Sequence, residues 1–144
     1  MTLFRICAAA LMAVVLSVGA STGAWAEEKM KVVYHVSELE KVGFVLGNMA
    51  NHITGVGGPE NVELVLVAHG PALKAFHDIS ADPKISDRVA ALQKDGAHFE
   101  ACGNTMKAQD VSLDDLLEGF AQRDEGGVVR IAQLQSEGYI YIRP

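Results

Sequence analysis

One cysteine and two histidines are the residues of this sequence best suited to chemistry, and each lies at or near the end of an apolar run. Cys102 ends the run AHFEAC and is followed by Gly-Asn-Thr, His69 follows VELVLVA, and His35 is the penultimate residue of MKVVYHV. A thiol placed where a strand gives way to a helix lies near free backbone N–H groups, whose positive field favours the reactive thiolate. The pattern predicts a nucleophilic Cys102, with His69 as a base or hydrogen-bond donor.

Each of these side chains also has a structural interpretation. Free cysteines are often small buried hydrophobes, His69 could equally cap the turn that follows it, and a strand histidine such as His35 is often a satisfied interior group. No Cys-x-x-Cys or His-x-x-x-His spacing supports a metal site, so we predict neither a metal nor another cofactor. The residues predicted to form the binding surroundings of the cysteine are His35, Gly70, Gly103, Asn104 and Thr105.

The apolar runs predict strands that alternate with helices. MKVVYHV and VELVLVA are nearly continuous in apolar residues, which is typical of strands covered on both faces. Ser37 and Glu40 have the spacing of a capping box and predict a helix start, with the helix ending near Gly55. Asp82 and Pro83 predict the start of another helix, as N-cap and first helical residue.

The second half of the chain continues this alternation. Further predicted elements are a short helix from Pro71, a third strand over Ala97–Cys102, a helical turn over 104–109, a second helix cap at Ser112 and an edge strand over 119–123. A last helix contains Val128, Val129, Ile131 and Leu134 and is closed by Gly138, and a last strand covers 139–142. Such alternation predicts an α/β fold of three layers, α/β/α, with a mostly parallel sheet of about five strands.

The predicted fold places the three reactive side chains at one edge of the sheet. Sheets of this class bind ligands beyond the carboxyl ends of their strands. If the first three strands are neighbours, His35, His69 and Cys102 converge there.

The first 26 residues have the pattern of a signal peptide. Arg5 precedes an uncharged apolar run from Ile6 to Ala20, and Ala24-Trp25-Ala26 has the small-x-small pattern of a cleavage site. We expect cleavage after Ala26, with residues 27–144 forming one domain in the periplasm that has no membrane attachment after cleavage. The alternative is an uncleaved membrane anchor.

Charge and cysteine content narrow the functional classes. The formal net charge is −6 and the chain has no basic patch, which argues against a nucleic-acid partner. No phosphate-binding loop and no Gly-x-Ser-x-Gly motif is present. Cys7 would leave with the leader, so Cys102 would be an unpaired thiol in an oxidising compartment, either buried and inert or kept free for its chemistry.

The chain from Lys31 to Pro144 resembles the DsrE/DsrF-like family, including its exported single-domain members. The segments that carry the resemblance are KVVYHV, VELVLVAHGPAL, the strand that ends at Cys102, and the closing GVVRIAQLQSEGYIYIRP. The resemblance implies a three-layer α/β/α domain that assembles into trimers or hexamers. In sulfur-relay members a cysteine after the third strand carries sulfur as a persulfide, and Cys102 falls at the matching position.

Three functions are open at this point. The first is a periplasmic sulfur carrier that holds sulfane sulfur on Cys102 and exchanges it with a donor or acceptor protein. The second is a non-catalytic oligomeric module that binds a small ligand and whose cysteine is structural. The third is an enzyme that acts on a sulfur compound without a partner protein.

Overall fold

The fold is built on one sheet of five strands, all parallel, in the order β4-β3-β2-β1-β5. The structure is a computed structural model that describes residues 29–144. The predicted signal peptide and Cys7 lie outside the described residues. Within residues 29–144, no helix is both long enough and apolar enough to cross a membrane. The α/β fold predicted from the alternation of elements is confirmed.

The elements follow the predicted order closely. The strands are β1 Met30–Val36, β2 Val62–Ala68, β3 His98–Cys102, β4 Phe120–Arg123 and β5 Ile140–Ile142. The α-helices are α1 Val42–Gly55, α2 Pro83–Lys94, α3 Gly103–Gln109 and α4 Gly127–Ser136. Short 3₁₀ helices cover Leu39–Lys41, Gly70–Phe76, Asp78–Ser80 and Leu113–Asp115.

Two of the three predicted helix caps are present. Asp82 accepts a hydrogen bond from the backbone N–H of Lys84 at the start of α2, and Ser112 forms a capping box with Asp115. The predicted capping box at Ser37 is wrong. The Ser37 hydroxyl instead donates to Glu38 at 2.9 Å, and α1 begins only at Val42, after a 3₁₀ turn.

The two faces of the sheet are covered differently. One face packs against α1, α2 and the 3₁₀ helices and forms the larger apolar core. The other face packs against α4 through a small cluster of Val33, Val65, Val67, Ile131 and Leu134. The last helix is present as predicted, but Val128 and Val129 do not contribute to this cluster, since the side chain of Val128 is 70% exposed. Both lie on the outer side of α4, which carries only a narrow buried stripe.

The strand order brings three candidate side chains together. Because β3, β2 and β1 are consecutive neighbours in a parallel sheet, their carboxyl ends meet at one edge. The start of α4 lies over this edge, and Gly127 packs against both Cys102 and His69.

Candidate functional site

Cys102 is the last residue of β3 and immediately precedes the first turn of α3. Its side chain is 7% exposed and is the only free thiol among residues 29–144. A methyl group on Gly127 would lie 3.3 Å from the Cβ atom of Cys102, so the start of α4 rests directly on the cysteine. The thiol therefore lies between the amino ends of two helices.

The environment of Cys102 favours the thiolate. Burial raises the pKa of the thiol, but interactions with the Thr105 hydroxyl and with the backbone N–H groups of Gly127, Thr105 and Asn104 outweigh it, so the pKa lies below its usual value. The cysteine forms no side-chain capping hydrogen bond with α3. These donors therefore act mainly on the thiolate of Cys102, which forms when the thiol loses its proton.

Thr105 is held in place by the segment that follows β2. The backbone N–H of Gly70 donates to Thr105 Oγ1 at 2.9 Å, and the Gln109 side chain donates to the carbonyl oxygen of Gly70, also at 2.9 Å. Gly70 adopts φ +58°, a conformation that glycine reaches without strain. The Thr105 oxygen accepts the hydrogen bond from Gly70, so the proton of the hydroxyl is free to be donated to the sulfur of Cys102.

Gly103 and Asn104 complete the surroundings of the cysteine. A methyl group on Gly103 would lie 2.8 Å from the carbonyl oxygen of Arg123, so this position requires glycine. Asn104 contributes a backbone N–H toward the sulfur. Its side chain packs against Gly126, whose φ of +93° also favours glycine.

His35 and His69 form a direct pair beside the cysteine. Their Nε2 atoms lie 2.6 Å apart, and their rings stack with centroids 4.7 Å apart. The Nδ1 atom of His35 lies 2.7 Å from the hydroxyl of Tyr141 on β5. Burial, followed by the charges of His69 and Arg143, lowers the pKa of His35 to about 4, and burial and Arg143 lower the pKa of His69. Both imidazoles are therefore neutral at neutral pH.

The histidine pair and the cysteine are adjacent but not hydrogen-bonded to each other. A methyl group on Gly127 would lie 3.4 Å from the Cβ atom of His69 and 3.3 Å from that of Cys102, so the two residues flank the same glycine. The Nε2 atom of His69 is occupied by His35. No group of three or more histidine, cysteine or acidic residues within 29–144 is arranged to hold a metal ion.

A buried carboxylate fastens α4 over this site. Glu100 on β3 is 2% exposed and accepts two hydrogen bonds from Arg130 of α4, at 2.8 and 3.0 Å, and one from Arg123 of β4, at 2.5 Å. Burial would raise the pKa of Glu100, but the two arginines hold it below its usual value. Arg130 lies three residues after Gly127, so this ion pair helps to position the amino end of α4.

Two residues of the site were not predicted from the sequence. Gly127 carries one of the N–H groups that act on Cys102, and Tyr141 extends the histidine pair to β5. The glycine pair at the start of the last helix was a usable signal for Gly127, since close backbone approach requires glycine. Tyr141 gave no signal, because its partner is more than one hundred residues away in the chain.

A family model decides the classification. The model of the DsrE/DsrF-like family matches residues 30–144, which is all but the first residue of the described part of the chain. The chain belongs to the DsrE/DsrF-like family. Members of this family are generally related to sulfur relay.

Solved structures from this group have the same fold. MTH1491 from Methanobacterium thermoautotrophicum, a protein of unknown function, is 31% identical with a TM-score of 0.71, over 81% of this chain and 100% of that one. The ychN protein from E. coli is 16% identical with a TM-score of 0.62, over 80% of this chain and 99% of that one. A search of curated proteins found no match. The family and fold expected from the resemblance are therefore confirmed.

Proposed function

We propose that this protein is a periplasmic sulfur carrier that holds sulfane sulfur as a persulfide on Cys102. The observation that carries the proposal is the position of Cys102, directly before α3 and in contact with Gly127 at the start of α4, where three backbone N–H groups and the Thr105 hydroxyl lower the thiol pKa. Donors that lower a thiol pKa increase the fraction of thiolate, which is the nucleophile in sulfur exchange. Membership of a family related to sulfur relay supports the same chemistry.

The proposed step is a simple exchange. The Cys102 thiolate attacks the outer sulfur of a donor persulfide, a new S–S bond forms on Cys102, and the S–S bond of the donor breaks. The donor leaves as a thiolate with the electron pair of the broken bond. No oxidant or cofactor is consumed, and the charge moves from one sulfur to the other. Transfer to an acceptor thiolate is the same step in reverse.

Intact mass spectrometry tests the proposal. The purified mature chain is treated with a low-molecular-weight persulfide donor, alongside Cys102→Ser. The proposal predicts a gain of one sulfur atom in the wild type, reversed by a reductant and absent from C102S. A wild-type protein that gains no sulfur, while a small thiol in the same solution is persulfidated, would contradict it.

The burial of Cys102 favours a second candidate, a non-catalytic module that binds a small ligand. A thiol that is 7% exposed can be a packing residue rather than a nucleophile. Alkylation of the folded protein separates the two functions. A sulfur carrier reacts in the native state with a depressed apparent pKa, whereas a structural cysteine reacts only after denaturation.

Export and assembly are also parts of the proposal. The pattern at 1–26 supports export and cleavage after Ala26. Periplasmic fractionation and amino-terminal sequencing of the mature chain test it, and an uncleaved protein in the membrane fraction would contradict it.

Assembly into a trimer or hexamer rests on the family and on several exposed large apolar side chains, among them Phe44, Ile79 and Val128. Light scattering during size-exclusion chromatography measures the assembly directly, and a monomer would contradict it.

A further inference from the structure

Three polar side chains form a continuous hydrogen-bonded chain that ends beside Cys102. The chain runs from Tyr141 on β5 to His35 on β1, at 2.7 Å, and from His35 to His69 after β2, at 2.6 Å. The stacked imidazole rings are inclined by only 20°. Tyr141 is 38% exposed, so the outer end of the chain reaches the surface.

The chemistry of the three groups sets the direction of these hydrogen bonds. A phenol O–H is a stronger donor than a neutral imidazole N–H, and an imidazole nitrogen is a stronger acceptor than a phenol oxygen. Tyr141 therefore donates to Nδ1 of His35. A neutral imidazole carries one N–H, so the proton of His35 lies on Nε2 and is donated to Nε2 of His69. The remaining N–H of His69 must then be on Nδ1.

The Nδ1 atom of His69 is available to a ligand. Among residues 29–144, Arg123 Nε is the only side-chain nitrogen or oxygen that is both buried and without a hydrogen-bond partner. His69 Nδ1 makes no hydrogen bond with any of residues 29–144 and is not among these buried unpaired atoms, so within the described part of the chain it remains accessible to solvent. The residue is half-buried and packs on the same glycine as Cys102.

We propose that Tyr141 and His35 are positioning residues that hold His69 as the Nδ1–H tautomer, so that His69 acts on sulfur as a hydrogen-bond donor and not as a base. The polar groups that act on Cys102 are all donors, namely the N–H groups of Asn104, Thr105 and Gly127 and the Thr105 hydroxyl. His69 Nδ1–H, on the other side of Gly127, would add one more donor for a sulfur bound to Cys102. Such a site selects an anionic sulfur, namely the terminal sulfur of a persulfide anion, over a neutral disulfide. The selection of a persulfide anion as the substrate rests on the proposed function, whereas the tautomer of His69 does not depend on it.

Heteronuclear NMR of the imidazole nitrogens at neutral pH tests the tautomer directly, because protonated and unprotonated ring nitrogens have well-separated shifts. The expected result is a proton on Nδ1 of His69 and on Nε2 of His35. Tyr141→Phe removes the donor at the outer end, so His69 should shift toward the Nε2–H form. Tyr34→Phe is the matched control, since Tyr34 bonds His52 at 2.9 Å away from this chain and should leave the His69 signals unchanged.

A second measurement follows the persulfide itself. We expect Y141F to slow transfer of sulfur from persulfidated Cys102 by about tenfold, as for loss of one charge-assisted hydrogen bond. Alkylation of the unmodified thiol should keep the wild-type rate. A proton on Nε2 of His69 in the wild type, or a tautomer that Y141F does not change, would overturn the inference. Nδ1–H on His69 together with failure of Cys102 to accept sulfur would support the tautomer and overturn the proposed function instead.

Discussion

Gly127 is in direct contact with Cys102, so that a single methyl group on the glycine would lie 3.3 Å from the cysteine Cβ atom. The same methyl would lie 3.4 Å from atoms of His69 and Val67. The 3.3 Å separation is tighter than most contacts of a methyl group, and the 3.4 Å separations lie at the lower limit of ordinary packing. The close approach of the α4 backbone brings the Gly127 N–H to the sulfur and depends on the missing side chain.

Gly127→Ala should therefore raise the pKa of Cys102. The added methyl would push the amino end of α4 away from the sulfur and weaken one of its donors, so alkylation at neutral pH should slow several-fold. Overpacking of this kind also destabilises by about 1–3 kcal/mol. Gly47→Ala in α1 is the matched control, because nothing lies within 4 Å of its added methyl. An unchanged pH profile in a folded G127A would show that the α4 N–H does not act on the thiol.

Thr105→Val should also raise the thiol pKa, since it replaces the hydroxyl that acts on Cys102 and accepts from Gly70. Thr105→Ser restores the hydroxyl and should recover most of the wild-type alkylation rate. Thr54→Val removes a hydroxyl from an exposed position near the end of α1 and should leave the rate unchanged. The three pH–rate profiles check the prediction, which fails if T105V and T105S behave alike.

Glu100→Gln should destabilise the fold by about 3 kcal/mol, because it leaves two guanidinium groups next to a buried neutral amide. Denaturant unfolding measures this loss. The control is Glu137→Gln, which removes only an exposed contact to Arg130 at 3.8 Å and should move the midpoint little. Equal effects of the two substitutions would mean that Glu100 is not the residue that fastens α4.

The pH dependence of stability should report on His35. Its pKa falls from 6.5 to about 4 on folding, so the unfolded chain binds more protons between these values. Stability contributed by the neutral imidazole is complete above pH 6.5 and is lost as the pH falls toward about 4. His35→Gln should show a smaller fall in unfolding free energy over this range, whereas His98→Gln, at the exposed start of β3, should keep the wild-type fall. Parallel curves of unfolding free energy against pH for H35Q and the wild type would contradict the assignment of this pH dependence to His35.

Much of the fold follows from local sequence patterns. The continuous apolar runs of β1 and β2 predicted buried parallel strands with the observed bounds, and Asp82 before Pro83 predicted the start of α2. These signals succeed because they depend on neighbouring residues only. The same local reasoning failed at Ser37, whose hydroxyl accepts a hydrogen bond from Arg143 at 3.0 Å and donates to Glu38. A partner at the other end of the chain replaced the local cap.

The candidate site also combines features that adjacent residues predict with contacts that only the tertiary structure creates. The sequence by itself determined that Cys102 ends a strand before a helix, with glycine, asparagine and threonine following it, because these are properties of adjacent residues. Only the tertiary structure decided that His69 bonds His35, that Tyr141 extends the pair, and that Gly127 covers the thiol. Those contacts depend on the order of strands in the sheet and on where α4 packs, which are set by burial of apolar surface over the whole domain.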